Sequence, residues 1–258
     1  SVKVQIHADV SGASGYGAAA STGYQGSIQI DLDSGKFLSG STAGASVQTV
    51  AGDATINNAG TIKGLNAGDG VVIDVNGGSA TVNNSGKILS GVGGSAIEVL
   101  SGAALMKNTG TIDGRIVSTA LTTVKNDGVW NNAAGSSISY LTNNGVLTMG
   151  PVGGAPGVLA VAGDATFGAK STYNARIDAS GSDTIAVAGT TTIKGGSVLI
   201  SGKDADFTRG AKYALISSAG GVTGAFDSVS AGTSSYTGVL TYDADSVWSY
   251  ELGTKNLF

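Results

Sequence analysis

Cysteine is missing from this 258-residue chain, which removes disulfides and thiolate metal sites from any account of its stability. That absence suits a protein that crosses a membrane unfolded. His7 is the single histidine, so a Ser-His-Asp triad would have to use it, and no serine stands in a Gly-x-Ser-x-Gly frame. Prolines number two, and glycine keeps no strict three-residue period, which excludes collagen. Charged residues make up 12% of the chain, about half the usual quarter, and Lys+Arg 14 against Asp+Glu 18 leaves a net charge of −4. Such a balance offers no basic footprint for nucleic acid or for an anionic membrane. No apolar run nears the roughly 18 residues that span a bilayer. The start, Ser1-Val2-Lys3-Val4, lacks the apolar core of a secretion signal, so the chain reads as a mature or excised part.

What the chain has in abundance is glycine, 43 residues, together with 41% hydrophobic residues, enough for a packed fold. Much of the glycine belongs to an internal repeat. Ala54-Thr-Ile-Asn-Asn-Ala-Gly-Thr-Ile-Lys-Gly64 matches Ala80-Thr-Val-Asn-Asn-Ser-Gly-Lys-Ile-Leu-Ser-Gly91 and Ala104-Leu-Met-Lys-Asn-Thr-Gly-Thr-Ile-Asp-Gly114. Weaker copies start at Thr123 and Tyr140, and an earlier one at Asp33. The anchoring glycines are Gly35, Gly60, Gly86, Gly110, Gly128 and Gly145. Each repeat holds short alternating runs separated by Gly and Asn, the signature of strands and tight turns. Units that cannot bury their inward face alone stack into a parallel β-helix.

The columns of that stack can be read from the anchors. Four residues before each glycine stand Ile56, Val82, Met106, Val124 and Leu141. Two residues after stand Phe37, Ile62, Ile88, Ile112, Trp130 and Leu147, a second inward column. Two residues before stand Asp33, Asn58, Asn84, Asn108, Asn126 and Asn143. Asn and Gly suit a corner because both tolerate positive φ, and stacked amides can bond to the copies one coil away. The anchor spacing drops from about 25 to about 17 after Gly110. The cross-section is therefore expected to narrow or lose a loop there. Three regions follow: an irregular N-terminal coil or cap over 1–26, β-helix repeats over 27–150, and a C-terminal cap over 151–258.

The last region carries a family resemblance. It opens on Pro156-Gly and runs through the Val-x-Gly-Asp turn at Val161–Asp164 and the strand pair Asp183-Thr-Ile-Ala-Val-Ala-Gly189. Gly-Gly-Ser-Val198, Tyr213-Ala-Leu-Ile216 and Leu240-Thr-Tyr-Asp243 follow. This series, from Pro156 to Trp248, resembles the C-terminal passenger region of bacterial autotransporters of the type V secretion route, the stretch before their membrane barrel. The repeats over 27–150 are similar to passenger β-helix coils. The resemblance implies export through periplasm and outer membrane to the bacterial cell surface. It also implies an autochaperone-like role for the terminal region. Membrane attachment would come only through a barrel domain absent from this chain.

Reactive chemistry is sparse. Asp204-Ala-Asp206 and Asp243-Ala-Asp245 offer paired oxygens to a hard cation, but their spacing also suits ordinary polar turns. No metal and no cofactor is expected. Aligned by the anchors, Gln48, Asp74 and Glu98 form one outward column. Neighbouring strands lie about 4.8 Å apart, close to the carboxylate separation of retaining glycosidases. The fold expected is all-β, a right-handed parallel β-helix with a C-terminal capping region. The expected function is contact: adhesion to a host surface or matrix component, or self-association with another copy on a neighbouring cell. The alternatives are a polysaccharide-active enzyme using Asp74 and Glu98, and a stalk for a region lying further N-terminal.

Overall fold

Alternating apolar residues give strands with one inward face, and the turn glycines let each strand feed the next around a closed coil. The computed structural model describes residues 1–23, 25–150, 155–203, 207, 210–231 and 238–251. These form an all-β solenoid of about eight turns. Nearly every strand pairs in parallel with the strands one coil before and after.

The inward columns are continuous. Val4, Ile30, Ile56, Val82, Met106, Val124, Leu141 and Ala165 stack in register. On the facing sheet Leu38, Ile62, Ile88, Ile112, Trp130, Leu147, Tyr173 and Val198 do the same. All eight of the latter are at most 1% exposed, so the core is a continuous apolar rod along the axis. Each such side chain contributes about 1.5–3 kcal/mol by leaving water.

Two register details depart from the sequence reading. Leu38, not Phe37, stands below Ile62, and Leu32, not Asp33, stands below Asn58. Between Leu32 and Leu38 the corner holds two more residues than between Asn58 and Ile62, so counting back from the glycine slips at the first copy. Segment 1–26 is also more regular than expected. Val2–Ile6, Val10–Gly12 and Tyr16–Thr22 pair in parallel with the strands Ile28–Leu32, Phe37–Gly40 and Ala43–Thr49. Small side chains at Ala18, Ala19 and Ala20 make that coil look irregular in sequence without preventing the pairing.

After Gly110 the coil loses a turn. Seven residues separate Leu89 from Ile97, while only Gly114 and Arg115 separate their register partners Asp113 and Ile116. The stack then continues past residue 150: Val146–Met149 pairs with Thr172–Asp178, and that strand with Ser197–Ser201. Coil stacking thus runs on into the C-terminal region. A cap does form at the far end, where Ser246–Glu251 pairs antiparallel with both Lys212–Ser218 and Gly238–Tyr242. Larger side chains fill the core towards it, with the rings of Phe167 and Phe226 edge to face at 5.4 Å.

Candidate functional site

The asparagine column is built as two amide ladders side by side. The inner one is buried. Asn58 Nδ2 donates to Asn84 Oδ1, Asn84 to Asn108, Asn108 to Asn126 and Asn126 to Asn143, each at 2.7 Å. The second hydrogen of each of the first four amides goes to a backbone carbonyl, of Lys87, Thr111, Val129 and Val146 respectively. Hydrophobic register partners bound the ladder, Leu32 below Asn58 and Phe167 above Asn143. Asn58 Oδ1, at the Leu32 end, is buried without a hydrogen-bond partner.

Gly86, Gly110, Gly128 and Gly145 fix the corner beside this ladder for a reason other than positive φ. None of the four has positive φ, nor does any of the five asparagines. A Cβ on Gly110 would lie 2.1 Å from the Gly86 carbonyl oxygen, and one on Gly128 2.2 Å from that of Gly110. The column needs glycine because successive backbones touch there.

The outer ladder faces solvent and runs the opposite way. Asn83 Nδ2 donates to Asn57 Oδ1 at 2.8 Å, and Asn57 Nδ2 donates to Asp31 Oδ1 at 2.7 Å. Gln29 also donates to Asp31, and the Lys3 ammonium lies 3.4 Å from it. Burial pushes the Asp31 carboxyl up, but the Asn57 and Gln29 amides and Lys3 together hold it below its usual 3.8. Continuing the column, Lys107 and Lys125 stand on adjacent strands as register partners, both exposed. A groove of about 520 Å³ runs along this corner, lined by Asp31, Asp33, Asn57, Asn83, Ser85 and Lys107 among others.

The predicted binding column is only partly assembled. Gln48 and Asp74 are register partners, and Gln48 Nε2 donates to Asp74 Oδ2 at 3.0 Å. Glu98 is not the third member: it pairs with Val72, and Ser101 takes the place beside Asp74, donating to Oδ1 at 2.6 Å. The reason is local. The two residues by which this coil is shorter are removed at the irregular corner between Val99 and Ala103, so the strand before it keeps the older spacing.

Glu98 instead meets an acid that sequence reasoning did not pair with it. Burial first, and then the Asp69 carboxylate with which it shares a hydrogen bond, raise Glu98 above its usual 4.5, while Arg115 acts the other way. Asp69 is fixed by the Ser95 backbone N–H at 2.6 Å, and Arg115 Nε donates to Ser95 Oγ at 3.1 Å. The two acids stand 29 residues apart in the chain.

His7 directly follows the first strand, Val2–Ile6. Its Nδ1 lies 2.5 Å from Asp33 Oδ2, with both side chains exposed. Asp243 and Asp245 occupy the exposed turn of the terminal hairpin, and Asp204 and Asp206 lie outside the described residues. Among the described residues no three His, Cys, Asp or Glu side chains gather as a metal site would require. The geometry defines a parallel β-solenoid with polar, in-register outer columns. Neither a protein-family model nor a curated protein matches this chain.

Proposed function

We propose that this chain is an autotransporter-type passenger displayed on the bacterial surface that works by contact, as an adhesin or a self-association factor. The observation that carries the reading is the outer column from Asp31 through Asn57 and Asn83 to Lys107 and Lys125, whose members share one strand register. Polar groups repeated at about 4.8 Å on a stiff rod let many weak bonds add once two rods align. The resemblance of Pro156–Trp248 to the passenger stretch before the barrel supports export and display. The partner is a host surface or matrix component, or a further copy of the chain. The test is to display it on a non-adherent bacterium and measure cell aggregation and adherence. Gain of either is expected; absence of both sinks the reading.

A further inference from the structure

The outer column carries a charge pattern that a two-fold rotation maps onto its opposite. Along adjacent strands it reads Asp31, Asn57, Asn83, Lys107: an anion, two amides and a cation at even spacing. Its midpoint falls between Asn57 and Asn83. We infer that this face joins two copies of the chain side by side and antiparallel. Asp31 of each copy then opposes Lys107 of the other, and Asn57 opposes Asn83. The inference rests on the contact reading above and names its partner as a second copy.

Three observations favour that occupant. A parallel arrangement would set Asp31 on Asp31 and Lys107 on Lys107, so only the antiparallel one is electrostatically complementary. Lys107 and Lys125 repel each other as direct cross-strand neighbours, and neither has an ion-pair or hydrogen-bond partner among the described residues. The opposite end stays net acidic by one charge, with Asp9, Asp31 and Asp33 against Lys3 and Lys36 and with His7 on Asp33. An isologous contact of this kind closes as a pair and does not propagate into a fibre.

The experiment is sedimentation velocity on the full chain over a range of concentrations, at about 50 mM and about 500 mM NaCl. Wild type should dimerise, more weakly at the higher salt. Lys107→Asp with Lys125→Asp should weaken dimerisation by at least about tenfold. Both positions are exposed, so folding should hold, and circular dichroism checks it. Asp31→Lys with Asp33→Lys should weaken it likewise, and an equimolar mixture of the two reversed proteins should recover the pair. Should Asp31→Lys disturb the ladder, Asp33→Lys alone serves as the acid-end variant. A wild-type monomer throughout, a dimer indifferent to the lysine reversal, or no recovery on mixing each overturns the inference. So does heparin binding that is lost in the lysine variant of a monomeric protein, which would hand the face to a polyanion. Cell aggregation by displayed wild type that the lysine reversal leaves intact would sink this face while the contact reading stands.

Discussion

Asn108 illustrates how much one buried amide can hold. It accepts from Asn84 and donates to Asn126 and to the Val129 carbonyl, with no exposed surface. Asn108→Ala strips both neighbouring amides of a partner and should cost about 2–4 kcal/mol in denaturant unfolding. Asn143→Ala, at the ladder's end, should cost about half as much. The glycines separate two mechanisms in the same way. Gly110→Ala drives a Cβ into a backbone oxygen and should cost about 3 kcal/mol. Gly135→Ala has open space but a φ of 85°, and should cost about 1 kcal/mol. Glu98 adds a pH signature. A carboxyl whose folded value is raised stabilises the fold below its unfolded value, and that contribution is lost as pH rises through the folded one. Glu98→Gln should therefore raise the melting temperature at pH 7 relative to wild type, with the gain shrinking below about pH 4.

At the scale of elements, the ion pair of Arg176 and Asp183 ties the strand Thr172–Asp178 to the one that follows. Arg176 Nε and Nη2 donate to the two Asp183 oxygens at 2.8 and 2.9 Å, and the Gly157 N–H donates to the same carboxylate at 2.7 Å. Asp183 is fully buried and Arg176 nearly so. Arg176→Met leaves an uncompensated buried anion and should cost about 3–5 kcal/mol, read from urea midpoints. The guanidinium also lies against Gly150, where a Cβ would fall 2.8 Å from Nη2. The sequence singled out the Asp183 strand only as part of a resemblance; it gave no sign that Arg176, seven residues earlier, was the partner.

Over the whole molecule, a solenoid's stability is close to a sum of coil and interface terms, so local differences persist. The terminal coils combine the buried ion pair, the Phe167, Tyr173 and Phe226 rings, and an antiparallel cover. Hydrogen exchange should then protect the described strands between Pro156 and Tyr250 at least as well as those from Ser27 to Gly91. Faster exchange throughout the terminal part would remove the proposed autochaperone role.

The repeat alone determined the fold class, the inward columns from Ile56 to Leu141 and from Ile62 to Leu147, and the stacked asparagines. Each of these follows from a strict local pattern repeated without slippage. What only the tertiary structure decided lies at corners, where coils differ in length. An inserted pair of residues moved Leu38 under Ile62, and a deletion placed after Val99 sent Glu98 to Asp69 and left Asp74 to Gln48 and Ser101. Corner length shifts register without altering the inward pattern, so hydrophobic periodicity is blind to it. The same holds for the glycines, whose role depends on how closely the neighbouring coil's backbone approaches, a distance that no single repeat contains.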